Sequence, residues 1–241
     1  MDRETKRKIN WPRILLYLLG MLLLAVGLTL NTRVTLGVSA IISVPYCAAE
    51  LAGVSIGDAT LVLYVVFIGV EVLLHLLRKA PDRKRVVLFD VLQLPLGLVF
   101  TRFMNLFSAI IPLFERDFAG SFWGSLWVRL CLMLLAITLT GTGAALTLRM
   151  RLIPNPGDGI VQALADFFHK KVGTMKNALD LCCVAFSAAL ALCLVHRIIG
   201  IGVGTVMAAL LTGRVVALVN RLFGERLDAV CAGPDAMETN E

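Results

Sequence analysis

The chain has 241 residues, 58% of them hydrophobic and only 17% charged, with a net charge of +6 and a mean hydropathy of +0.84. A soluble domain is typically about 45–50% apolar and about 25% charged, so this composition excludes a single soluble core, a disordered chain and a nucleic-acid-binding domain. Apolar runs of roughly 20 residues recur, enough for a helix to cross about 30 Å of hydrocarbon, and the sequence predicts an all-α, multi-pass membrane protein.

In chain order, residues 1–10 (MDRETKRKIN) form a basic tail. Six spans are predicted at 12–31, 60–77, 86–107, 122–148, 176–195 and 203–223, and 224–241 reads as a loose polar tail. No signal peptide is expected, because the first apolar run, Ile14–Leu30, is long and no small-residue cleavage site follows it. Two connections, 32–59 and 149–175, are too long for tight hairpins, and each holds an apolar stretch of its own. Each predicts a short helix, either re-entrant or lying along the interface. The second opens with Pro154-Asn155-Pro156-Gly157-Asp158-Gly159, where Asn155 or Asp158 suits a helix N-cap. Trp11, Trp123 and Trp127 fall near span ends, as in an aromatic belt. The cysteines (Cys47, Cys131, Cys182, Cys183, Cys193 and Cys231) show no CxxC spacing. They read as small apolar core residues, and no metal or cofactor is expected.

Basic residues set the orientation. With the N-terminus inside, the cytoplasmic segments hold 17 of the 23 Lys and Arg, including Arg78, Lys79, Arg83, Lys84 and Arg85 between the second and third spans. Arg33, Arg102, Arg116, Arg129 and Arg197 fall on the outer side. This bias predicts a bacterial inner (plasma) membrane protein with both termini cytoplasmic.

The chain also repeats itself. A shift of 116 residues lays 11–107 on 127–223 without a gap. Trp11 then meets Trp127, Arg13 meets Arg129, Gly27 meets Gly143, Arg33 meets Arg149, Gly57 meets Gly173 and Gly97 meets Gly213. The predicted organisation is a tail 1–10, a first three-helix repeat 11–107, an extracytoplasmic connection 108–126, a second repeat 127–223 and a tail 224–241. Three spans per repeat is an odd number, so the second copy enters the bilayer upside down. Inverted repeats of this kind are common in secondary transporters.

Pro156-Gly157-Asp158-Gly159, then Val172-Gly173-Thr174 and Lys176-Asn177-Ala178-Leu179-Asp180, and finally Ile199-Gly200-Ile201-Gly202-Val203-Gly204-Thr205 with Gly213, resemble the YitT/YczE-like family of small bacterial membrane proteins. The resemblance spans about 12–224. It implies a bacterial plasma-membrane location and adds little chemistry, because most members have no assigned activity. The first half carries Ser39-Ala40-Ile41-Ile42 where the second carries Asn155-Pro156-Gly157-Asp158, so a symmetric pair of sites is not expected. Gly200, Gly202 and Gly204 lack dinucleotide-loop spacing and read as close packing or a broken helix start.

An ionisable group inside a span is a functional candidate. Arg214 lies near the middle of the sixth span. It suits an anionic ligand or a pairing with Asp180, Glu71 or Asp90. Asp180 follows Lys176 by one helical turn, a spacing that suits a local salt bridge. Glu71 and His75 share a face and suit a proton relay, a buried hydrogen-bonded pair, or a bond from Glu71 to another helix. Asp90 and Gln93 share a face ahead of Pro95, which should kink the third span.

The resulting expectation is a transporter or channel for a small solute, an anion among the candidates, with Arg214, Asp158, Gly157 and Gly159 lining a cavity. Glu71, His75, Asp90 and Asp180 would serve ion or proton coupling. The alternative is a non-transporting scaffold or accessory protein. No nucleophile–base arrangement suggests an enzyme. The bilayer and a small solute are the expected partners, self-association into a homo-oligomer stays open, and no nucleic acid is involved.

Overall fold

The computed structural model describes residues 11–78, 83–150 and 152–232. The basic tail 1–10, Lys79, Arg151 and the polar tail from 233 onward lie outside the described residues. The elements in order are α1 (Trp11–Arg33), α2 (Ala40–Ala52), α3 (Ile56–Leu77), α4 (Arg83–Ile110), a single turn α5 (Phe114–Asp117), a 3-10 turn (Phe122–Gly124), α6 (Leu126–Met150), α7 (Pro156–Phe167), α8 (Val172–Val195) and α9 (Val203–Ala232). No strand occurs among the described residues. Six helices, α1, α3, α4, α6, α8 and α9, are long and apolar enough to cross a membrane, the build of a multi-pass membrane protein.

Local chemistry explains the boundaries. Gly53, at φ 66°, ends α2 in the left-handed region that favours glycine. Ser55 then caps α3 by accepting from the Asp58 amide at 3.1 Å. At α7, Asn155 holds the extended N-cap position and Pro156 fills the first turn, where its missing N–H costs nothing. The Asn155 side chain makes no capping bond, so neither proposed cap is closed by a side chain. α9 runs past the predicted end at 223. Leu227 is buried, and Arg149 donates from Nε (2.9 Å) and Nη2 (2.5 Å) to the two Asp228 carboxylate oxygens. This forked pair holds the start of the expected loose tail as helix. Pro95 sits within a continuous α4. Cys47 and Cys183 are buried as expected, but Cys131, Cys182 and Cys193 face outward.

α1 and α6 are the most buried spans. The apolar effect does not drive helices together inside lipid, so close packing must. Gly20 permits it: a Cβ there would stand 2.9 Å from the Leu146 Cβ. The two helices are antiparallel. Arg13 Nε donates to the Met150 carbonyl at 2.7 Å at one end, and Arg129 Nε donates to the Val34 carbonyl at 2.9 Å at the other. Arg13 and Arg129 are 116 positions apart, as are Val34 and Met150, so the same bond is made twice. Each arginine satisfies a carbonyl left orphaned at a helix C-terminus.

This antiparallel core places α2 and α7 at opposite ends of the bundle. Their first residues are 116 positions apart, as are those of α3 and α8. α2 packs on α8, and α7 packs on α3. The halves then differ. α3 lies along α4, but α8 does not lie along α9. Gly57 and Gly97 seal the first pair: a Cβ on Gly57 would lie 2.3 Å from the Thr101 carbonyl, and one on Gly97 would touch the Tyr64 ring at 3.3 Å. The start of α9 is seated against the turn after α1, where a Cβ on Gly202 would lie 2.5 Å from the Leu36 carbonyl.

Candidate functional site

A cavity of about 300 Å³ fills the space left between α8 and α9. The N-terminal ends of both short helices reach it, α2 through Ser39 and Ala40 and α7 through Asn155 and Asp158. Helix N-termini present unpaired N–H groups and positive potential. From α8 come Gly173, Lys176, Asn177 and Asp180, and from α9 Ala208, Ala209, Thr212 and Gly213. Leu24, Leu28, Ile41, Ile42, Tyr64, Thr140 and Ala144 complete the wall. Five pairs of these residues are each separated by 116 positions: Leu24 and Thr140, Leu28 and Ala144, Ser39 and Asn155, Ile42 and Asp158, Tyr64 and Asp180.

The charged groups here are Asp158, Asp180 and Lys176. Lys176 is in electrostatic reach of both carboxylates, but no closed ion pair joins them. The local Lys176–Asp180 salt bridge expected from spacing is therefore absent, and all three groups remain turned to the cavity. Burial pushes the Asp158 carboxyl above its ordinary range, and Lys176 pulls it back.

The expected lining set divides. Asp158 lines the cavity. Gly157 is buried beside it, with space for a Cβ 3.8 Å from the Ile41 side chain of α2. Gly159 faces the other way, toward α3 and α4. Arg214 is exposed on α9 and is not among the lining residues. Thr212 and Gly213 face inward instead, because successive helical positions turn by about 100°. Arg214 also lacks the pairing expected with Glu71, Asp90 or Asp180, since Glu71 and Asp90 bond elsewhere.

Those bonds form a second cluster at the α7 end. Gln93 Nε2 donates to Glu71 Oε2 at 2.6 Å, and His75 Nδ1 lies 2.7 Å from Asp90 Oδ2. Glu71 thus bonds to α4 rather than to His75 on its own helix. A cavity of about 340 Å³ opens on this cluster, with Arg85, Gln162 and Asp166 also on its wall. Gly159 supplies the room: a Cβ there would lie 2.8 Å from Glu71 Oε2 and 2.9 Å from both Gln93 amide atoms. At the matching positions of the other half stand Ser187 and Ser43, and Ser187 Oγ donates to the Ser43 carbonyl at 3.0 Å.

Tyr64 and Thr212 also line the cavity, and no motif marks either. Tyr64 has a usable signal in its 116-position offset from Asp180. No curated protein and no solved structure matches the chain. Residues 11–221, which take in both sets of helices, match the family model described as a family of unknown function (DUF6198), and the chain belongs to that family.

Proposed function

We propose that the protein is a transporter or channel for a small polar solute, built as two inverted three-helix repeats around the central cavity. The lining carries this reading: five repeat-related pairs meet at one cavity, and both short helices aim their N-termini into it. Sites at a repeat interface, flanked by helix ends, are the common plan of secondary transporters. The closed α3–α4 seam and the parted α8–α9 seam are the two arrangements that alternating access needs. Rocking one repeat against the other would exchange them.

The solute follows from the charges. Two carboxylates and one ammonium line the wall, with helix N-termini nearby. Arg214, the group that suggested an anion, lies outside the cavity. A zwitterion fits this set better than a plain anion, with its amine on Asp158 or Asp180 and its carboxylate on Lys176 and the α7 N-terminus. The excess of Lys and Arg on one side supports a cytoplasmic position for α7 in a bacterial inner membrane, and the YitT/YczE-like resemblance supports the same location.

The test is uptake into proteoliposomes of labelled alanine, acetate and methylammonium. Alanine should enter, and Asp158→Asn or Lys176→Gln should cut its rate by about tenfold, the value of one charge-assisted hydrogen bond. Uptake of none of the three, or alanine uptake untouched by both variants, sinks the reading. An accessory role is the second reading, favoured by the exposed Arg214 on the outward face of α9, a costly group to leave facing lipid.

A further inference from the structure

The cluster under α7 lies outside the central cavity and needs its own account. Glu71 and Gln93 are each only 1% exposed. One hydrogen bond joins them, and it leaves two acceptors, Glu71 Oε1 and Gln93 Oε1, buried without a partner. Both residues line the α7-end cavity. An ionised carboxylate closed off from water, with one amide donor and no cation, is strongly disfavoured. The site therefore lacks one positive charge or one donor hydrogen. No cation bonds it. From α3, His75 faces it but is joined to Asp90. From α4 come Asp90 and Arg85, and the Arg85 guanidinium stands over the Phe89 ring, 6.0 Å from its centroid. From α7 comes Asp166, which is held by Arg78 at 2.8 Å. α2 meets α3 toward its other end, and among the described residues it contributes no charged group to this wall.

We propose that Glu71 is an exchangeable proton site, with the His75–Asp90 pair as its conduit to the α7-end cavity. A proton on Glu71 Oε1 removes the buried charge and turns an orphaned acceptor into a donor. His75 stands four residues along the same helix face, bonded to Asp90, and its side chain is 18% exposed, enough to exchange with the cavity. An imidazole can take up a proton on one ring nitrogen while releasing one from the other. The proposal goes beyond the transport reading and does not depend on it.

The test is pH-titrated infrared difference spectroscopy of the full chain in lipid. The wild type should show the carbonyl stretch of a protonated carboxyl, lost as pH rises and missing throughout in Glu71→Gln. His75→Gln should slow the exchange of that band into deuterated buffer. No titrating band, or one that persists in Glu71→Gln, overturns the assignment. Should Glu71→Gln not fold, a lipid-soluble carbodiimide on the wild type decides. The protonated carboxyl adds across its C=N bond without a leaving group. Mass spectrometry should find the adduct on Glu71, falling as pH rises; no Glu71 adduct at any pH overturns the proposal. Neither readout involves solute movement, so failure of the transport reading and failure of this one are told apart.

Discussion

Gly27 and Gly143 make the same close approach from opposite sides of the α1–α6 crossing. A Cβ on Gly27 would lie 2.6 Å from the Thr140 amide nitrogen and 2.9 Å from the Ala136 carbonyl. A Cβ on Gly143 would lie 2.5 Å from the Leu24 amide nitrogen and 2.6 Å from the Gly20 carbonyl. Gly27 and Gly143, Leu24 and Thr140, and Gly20 and Ala136 are each 116 positions apart. Each glycine touches the residues that, shifted by 116 positions, are touched by the other.

That reciprocity sets the first expectation. Gly27→Ala and Gly143→Ala each press a methyl into backbone, which cannot swing aside. Each should cost about 1–3 kcal/mol, by similar amounts. Gly69→Ala is the control, since nothing stands within 4 Å of its Cβ position. Melting of the detergent-purified variants should drop for the first two and not for the third. A drop at only one of the pair would argue against equivalent crossings.

Arg129 ties the end of α1 to the start of α6 through three bonds. Arg129 is 9% exposed and donates to the Val34 carbonyl, the Thr35 carbonyl and Thr35 Oγ1. Arg129→Met strands these acceptors and should cost about 1–3 kcal/mol. Arg129→Lys should recover little, because an ammonium lacks the guanidinium fork. Thermal melts that rank lysine equal to arginine would contradict this geometry.

Gly159→Ser should destabilise the protein through its contact with Glu71. The matching positions in the other half are Ser43 and Ser187, which suggests the compensating change. Glu71→Ser on the Gly159→Ser background should restore much of the loss, a coupling of about 0.5–3 kcal/mol in a double-mutant cycle. Additive losses would mean that the two side chains do not share that space.

Arg214→Leu should change stability by no more than about 0.5 kcal/mol, as for other exposed positions, and leave alanine flux within about twofold of wild type. A collapse of flux with the fold intact would bring Arg214 back into the pathway.

A reporter fused after Arg83 should register as cytoplasmic, and one placed after Gly120 as external. A reversed pattern would overturn the orientation read from the Lys and Arg distribution.

Much of this was written along the chain. The six spans follow from run length. α2 and α7 are legible because each long connection holds an apolar stretch of its own, and the two lie 116 positions apart. Faces were harder. Arg214 has the right depth and the wrong side, and only its neighbours Thr212 and Gly213 show which way α9 is turned. The partner of Glu71 was hidden for a related reason. His75 shares its helix face at the favoured spacing, yet Gln93 on the next helix makes the bond, and no spacing within one segment reveals a contact between two. The helical stretch after 223 was misread because its anchor, Arg149, lies far back in sequence.

α7 is a wall one helix thick with a chamber on each side. Asp158 is turned to one and its neighbour Gly159 backs onto the other. Two consecutive residues of one helical turn thus belong to different chambers, and a side chain that repacks either face of α7 there presses on both.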